Sequence, residues 1–159
     1  KIKNSKIYGT TKLAGASGKI TVKDSEISTL SASTVSGEIS FDETKTGLVQ
    51  METVNGKLNL QNAVTESFEL QTMSGAIEIL LKKIMTKNSF AKSTGGSINL
   101  VVPKNAPYNA VVTTLNGSFI DNNTFVTAAQ CDELISTYQK GTVDIKLNTK
   151  SGKITIGSN

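Results

Sequence analysis

At 159 residues the chain is long enough for one domain with a buried core. With 37% hydrophobic residues, 5% aromatics and no tryptophan, that core must be built from many small aliphatic contacts. The net charge of +4 comes entirely from lysine; the lack of arginine argues against base readout and tight phosphate grips on nucleic acid, and the lack of histidine against zinc or haem ligation.

The chain opens on a stretch dotted with Lys1, Lys3, Lys6 and Lys12, the pattern expected of a sheet edge protected from further pairing. It begins at Lys1 without a methionine, so an upstream signal or membrane anchor is expected to have been removed. A phrase then appears, Ala16-Ser17-Gly18-Lys19-Ile20-Thr21-Val22, and returns around Gly37, Gly56, Gly75, Gly96, Gly117 and Gly152, at steps of 19, 19, 19, 21, 21 and 35 residues. A fixed period near twenty with alternation inside it predicts a β-solenoid, one domain over residues 1–159 with about seven coils.

Counting from each glycine, positions +2 and +4 read Ile20/Val22, Ile39/Phe41, Leu58/Leu60, Ile77/Ile79, Ile98/Leu100, Phe119/Asp121 and Ile154/Ile156. All but Asp121 are apolar, so these positions face inward on a strand that follows the glycine. A second strand precedes the glycine, with inward residues at −7, −5 and −3: Leu30/Ala32/Thr34, Val49/Met51/Thr53, Phe68/Leu70/Thr72, Ala110/Val112/Thr114 and Ile145/Leu147/Thr149. The inward parity switches between the two strands, so the chain turns a corner at the glycine. The threonines at −3 and the serines or asparagines at −1 are expected to form ladders that satisfy backbone groups at this bend. Position +9 (Ile27, Thr46, Thr65, Ile84) indicates a short third side with one inward residue. Three sides per turn make a triangular prism of parallel strands rising ~4.8 Å per turn, right-handed by the general crossover preference.

Beyond Gly75 the pattern loosens. Asn88–Thr94 reads as shifted by about one residue, leaving Phe90 unassigned, and Pro103 and Pro107 bracket a corner loop. The long step between Gly117 and Gly152 holds an insertion at about 121–141. Within it Ala128, Cys131, Leu134, Ile135 and Tyr138 have mild helical spacing, which predicts a short helix or an irregular coil over Thr127–Gln139 as a C-terminal cap or lateral insertion. Cys131 is the one cysteine, so no internal disulfide forms.

Chemistry-bearing residues are few. Asp24 and Glu43 both stand at +6 in adjacent coils, with Glu26 and Asp42 near them in sequence. Stacked one coil apart, these four carboxylates are the candidates for a surface calcium site or an acid pair; their plain reading is a solvated corner. The column Lys19, Glu38, Lys57 at +1 reads as a charge ladder. The serines recur at −1 in coil after coil, which answers a demand of the backbone rather than of catalysis; a nucleophilic serine would be singular and paired with a base.

The recurring Thr-x-Ser-Gly-x-Ile-x-Val phrase resembles a bacterial family of surface proteins of unknown biochemical function, named adhesins for their β-helix shape, and the related head domain of autotransporter adhesins. The resemblance runs from about Lys6 to Ile156. It implies a right-handed parallel β-helix, usually behind an N-terminal signal or membrane segment, in an extracellular or envelope location. It supplies no catalytic residues. The expectation is a non-enzymatic adhesin-like binding or scaffold module without a cofactor, whose partners are glycans, cell-wall polymers or another envelope protein rather than nucleic acid. A carbohydrate-active β-helix enzyme, a polysaccharide lyase or hydrolase, is the alternative.

Overall fold

Successive turns of this chain meet backbone to backbone at one corner, and glycine occupies that corner because nothing larger fits. The computed structural model describes residues 1–139 and 141–159. In it a Cβ placed on Gly37 would overlap the Gly18 carbonyl oxygen, and the same holds for Gly56 on Gly37, Gly75 on Gly56 and Gly96 on Gly75. The repeat glycines therefore stack in one column, as the spacing predicts.

Among the described residues twelve strands carry the fold: β1 (Ile2–Lys3), β2 (Lys6–Ser17), β3 (Ile20–Ser36), β4 (Ile39–Asn55), β5 (Leu58–Thr72), β6 (Ile77–Leu81), β7 (Ser89–Ser93), β8 (Ile98–Val102), β9 (Tyr108–Asp121), β10 (Val126–Tyr138), β11 (Asp144–Thr149) and β12 (Lys153–Ser158). Among the described residues there is no helix long and apolar enough to cross a membrane. The strands stack in parallel with like positions opposite like: Ile20, Ile39, Leu58, Ile77 and Ile98 form one ladder, and Leu30, Val49 and Phe68 another. This is a β-solenoid. It has about five complete turns rather than the expected seven. The repeats of Gly117 and Gly152 supply two sides each but no third, since β9 turns back into β10 and β12 ends at Ser158.

The inward assignment holds on both long sides. Leu58, Leu60, Ile77 and Ile98 are fully buried, as are Leu30, Val49, Phe68, Val112 and Ile145, and the −3 threonines lie buried beside them. Part of the polar ladder at the bend is in place, with Thr72 Oγ1 donating to the Gly56 carbonyl (3.3 Å), Ser93 Oγ to that of Gly75 (3.1 Å) and Thr149 Oγ1 to that of Gly96 (3.1 Å). The third side buries two residues per turn instead of one: Ser25/Ile27, Thr44/Thr46 and Ala63/Thr65. It is reached through a sharp corner at Asn4, Asp24, Glu43 and Asn62, whose φ angles of 51°, 49°, 50° and 52° are left-handed. Short polar Asn and Asp tolerate that conformation best, which explains three of the four.

Two expectations for the second half are corrected. The stretch Asn88–Thr94 is not out of phase. Ser89, Ala91 and Ser93 are the inward residues at −7, −5 and −3, paired in register beside Leu70 and Thr72, while Phe90 lies between them on the outer face. Small inward side chains hid the alternation. Thr127–Gln139 is neither helix nor irregular coil, since Val126–Tyr138 is the strand β10, antiparallel to β9. Its helical spacing arose because Ala128, Leu134 and Tyr138 face the core at even positions while Ile135, outward and 62% exposed, fell into the same stripe. The unpaired outer edge of β9 needs backbone partners, and that demand outweighs a weak periodicity. β10 thus closes the C-terminal end, as a cap was expected to. The side chain of Cys131 and the whole of Lys140, both within the expected insertion, lie outside the described residues.

The last two strands do not follow their predecessors in space. β11 pairs in parallel with β7 on one edge and β9 on the other, and β12 likewise with β8 and β9. The C-terminal coil is intercalated: Gly152 packs on Gly96, and Gly117 packs on Gly152. To leave room for it, the chain strides two layers between β8 and β9 through Pro103–Pro107, where Ala106 N donates to Pro103 O at 3.0 Å. Ahead of β11, Gly141 lies so close to the Tyr108 backbone at the start of β9 that a Cβ would overlap it.

Candidate functional site

The third side carries a long concavity to which successive turns contribute equivalent residues. Beyond the left-handed corner, Ile27-Ser28, Thr46-Gly47 and Thr65-Glu66 occupy equivalent positions in three successive turns, with Ile7-Tyr8 before them and Ile84 after. They line a groove of about 330 Å³ that runs along the stacking axis across five turns, a length of ~20 Å at the strand spacing. Gly47 deepens it, since a Cβ there would sit 2.9 Å from the Ser28 carbonyl oxygen. The floor is mixed, with Ile27, Thr46 and Thr65 nearly buried.

The rim alternates in charge over three turns, Lys6, Glu26 and Lys45, before Val64 takes the next position. Lys6 Nζ lies 3.6 Å from Glu26 Oε2, Lys45 Nζ 3.2 Å from Glu26 Oε1, and Lys87 Nζ 2.6 Å from Glu66 Oε2. Lys45 and Lys6 hold the Glu26 carboxyl below its ordinary value, so it stays ionised at neutral pH. Lys83 stands on the same rim, without an ion-pair partner among the described residues. At one end Tyr8 is 81% exposed, with the Lys6 ammonium 5.5 Å from its ring centroid. An aromatic face, aliphatic and hydroxyl groups on the floor and paired charges above can hold an extended polar polymer by stacking and hydrogen bonds.

The four acidic candidates separate into two places. Asp24 and Glu43 come together at the left-handed corner, where a hydrogen bond between their carboxyls raises Asp24 and, with Lys82 assisting, lowers Glu43. Asp42 lies beside them in sequence but is engaged elsewhere, accepting from Lys23 Nζ at 2.9 Å and from Asn62 Nδ2 at 3.0 Å. Lys82 Nζ reaches Glu43 Oε1 at 3.2 Å. Glu26 belongs to the groove rim and does not join the corner. Among the described residues no three His, Cys, Asp or Glu side chains are arranged to hold a metal ion. The +1 ladder forms only in part: Lys19 meets Glu38 at 2.9 Å, while Lys57 turns to Glu78 at 2.7 Å.

A buried polar knot at the capped end was missed by reading residues singly. Asp121, the one polar residue among the inward positions after the glycines, has no exposed surface. Its carboxylate accepts from Tyr108 Oη at 2.8 and 2.9 Å, from Ser136 Oγ at 2.7 Å and from the Asn123 backbone N–H at 3.0 Å. Asn123 Nδ2 donates back to Tyr108 Oη at 3.0 Å. Burial first, and the neighbouring carboxylate after it, push the Tyr108 phenol far up, so it remains a donor. The Tyr108 and Tyr138 rings stack at 5.8 Å. The signal was present in the sequence as a lone aspartate at an apolar position, but its partners come from β10, which only the fold brings near.

The model of the Toastrack DUF4097 family matches residues 3–157, nearly the whole chain. The chain belongs to the Toastrack DUF4097 family. A solved structure with the same fold is that of a "putative cell adhesion protein" from Clostridium sporogenes, which aligns over 98% of this chain and 92% of its own at a TM-score of 0.50. Sequence identity between the two is 9%, so the likeness of this Toastrack domain to that protein is one of fold. No curated protein matches the chain in sequence.

Proposed function

We propose that this Toastrack domain is a non-enzymatic, adhesin-like binding module of the cell surface or envelope, and that its third-side groove takes an extended glycan or cell-wall polymer. The groove itself carries the reading: five turns contribute to one trough with an exposed tyrosine at one end and paired lysine and glutamate on its rim. Repetition at the turn spacing suits a ligand that is itself a repeating chain. The fold shared with the "putative cell adhesion protein" supports the surface role.

The pairing of Asp24 with Glu43 is the one observation that favours an enzyme, because two adjacent carboxyls, one raised and the other lowered, are the kind of pair that acid–base hydrolysis uses. The pair sits on an open corner flanked by lysines, away from the groove, which supports binding without turnover. The test is to incubate the domain with immobilised acidic and neutral polysaccharides, with and without calcium, and to measure both retention and product release. Retention reduced at least tenfold by Tyr8→Ala or Lys45→Ala, with no product, is the expected result. Product release abolished by Asp24→Ala or Glu43→Ala would overturn the binding reading in favour of the enzyme.

A further inference from the structure

The C-terminal coil is the only stretch among the described strands that is held on both edges by residues preceding it out of spatial order. One wall of its slot is β7 and β8, the other is β9, and the strand order joins those walls only through β11 and β12. Both walls lie earlier in the chain, so the slot can be complete before the coil enters it. The coil brings Ile145, Leu147, Ile154 and Ile156, all buried, and a parallel ladder on each side. Nothing in that fit requires the coil to come from the same molecule, because an identical slot exists in every copy. The connection from β10, residues 139–143, is five residues long. Its Gly141 and Val143 are held beside Tyr108 by two hydrogen bonds, Asn109 Nδ2 to the Gly141 carbonyl at 2.7 Å and Asn109 N to the Val143 carbonyl at 3.1 Å. Released and extended, five residues reach ~17 Å.

We propose that the slot between β7/β8 and β9 accepts the C-terminal coil of a second copy, so that two chains join by exchanging residues 144–158. The exchange replaces every contact of the closed chain with an identical one, which is the condition for domain swapping at low cost, and it is strand addition of the kind by which an extended segment completes a sheet. β10 stays on β9 and keeps the end capped. The resulting pair displays two third-side grooves, but the inference rests on strand topology and stands or falls apart from what the groove binds.

The test uses full-length chains with Cys131→Ser as background. Asn99 on β8 and Thr155 on β12 are register partners with outward side chains. A chain carrying both Asn99→Cys and Thr155→Cys should close an internal disulfide under mild oxidation; failure to do so contradicts the register on which the proposal stands. Chains carrying Asn99→Cys alone and Thr155→Cys alone are then mixed at high concentration and oxidised. A disulfide-linked species of twice the chain mass that contains both variants is expected, and its yield should fall severalfold in Asn99→Cys and Thr155→Cys chains diluted before mixing. Internal closure in the double variant with no mixed dimer would overturn the proposal. Hydrogen exchange gives an independent reading: amides of β11 and β12 should exchange at least tenfold faster than those of β4. Equal protection means that the coil leaves only on global unfolding, and the proposal fails.

Discussion

Single residues in this fold answer to one of two demands, closeness of backbones at the glycine corner or parity along a strand. Leu58 is fully buried with Ile39 and Ile77 as its register partners, and its truncation to alanine should cost ~2–5 kcal/mol in urea titrations. Lys57, its neighbour in sequence, faces out and pairs with Glu78 across solvent; Lys57→Ala should cost under ~0.5 kcal/mol. Equal losses would mean that the inward parity is misassigned. At the corner, Gly56→Ala would drive a methyl group into the Gly37 carbonyl, and a backbone neighbour cannot step aside as a side chain can. The expected loss is above ~3 kcal/mol. Gly15→Ala should shift stability by less than ~0.5 kcal/mol, because there the nearest atom to a new Cβ is 3.8 Å away. Both demands could be read in the sequence, since they repeat at every turn. The corner at Asp24 and Glu43 could not. Its left-handed backbone is one reason acidic and amide residues recur there, and a chemical explanation had offered itself first.

Among the elements, those that repeat were legible, apart from β7, whose small inward side chains hid its phase, and the one without a sibling was misread. β10 has no sibling in the sequence, so its type rested on a short apolar stripe, and the edge of β9 decided it instead. The register between the two strands shifts at the corner, from Ala128 opposite Phe119 to Leu134 opposite Val112. That shift keeps the inward side of β10 at even positions while β9 changes parity. The knot around Asp121 then fixes the hairpin. Removing the Tyr108 hydroxyl leaves the buried carboxylate short of a donor and the Asn123 amide without its acceptor, so Tyr108→Phe should cost ~1–3 kcal/mol. Phe125→Ala, at a residue in the same turn that is 91% exposed, should leave thermal and urea transitions unchanged within ~0.5 kcal/mol.

At the scale of the molecule, stability should decline in acid for a reason spread over one flank. Asn62 and Lys23 lower the Asp42 carboxyl below its ordinary 3.8, and lysine or carboxyl partners lower Glu26 and Glu43 below 4.5. A carboxyl depressed in the folded state contributes stability that is present above its ordinary value and is lost as pH falls through the folded one. Asp24 is raised and runs the other way, contributing below 3.8 and losing that contribution as pH rises. Three lowered groups against one raised predict a net fall in urea midpoint from about pH 4.5 downward. Asp42→Asn should flatten it, and because the groups face solvent, 1 M salt should flatten it further. A midpoint independent of pH between 2 and 6 would remove these pairs from the account of stability.

The unbroken ladders between β3, β4 and β5, at three successive steps of 19 residues, make that part of the chain indifferent to how many copies of itself it contains. A tandem duplication of residues 37–55 meets on either side the same seam of glycine and the same inward residues, so it should insert as one more turn and lengthen the stack by ~4.8 Å. The enlarged chain should show a steeper urea dependence, in proportion to the surface it adds. A duplication of equal length within residues 103–121 has no such welcome, because the layer beside β9 is reserved for β11 and β12. The molecule thus has a growth zone near its first turns and a closed terminus at its last, and length variation among relatives of this chain should accumulate in the former.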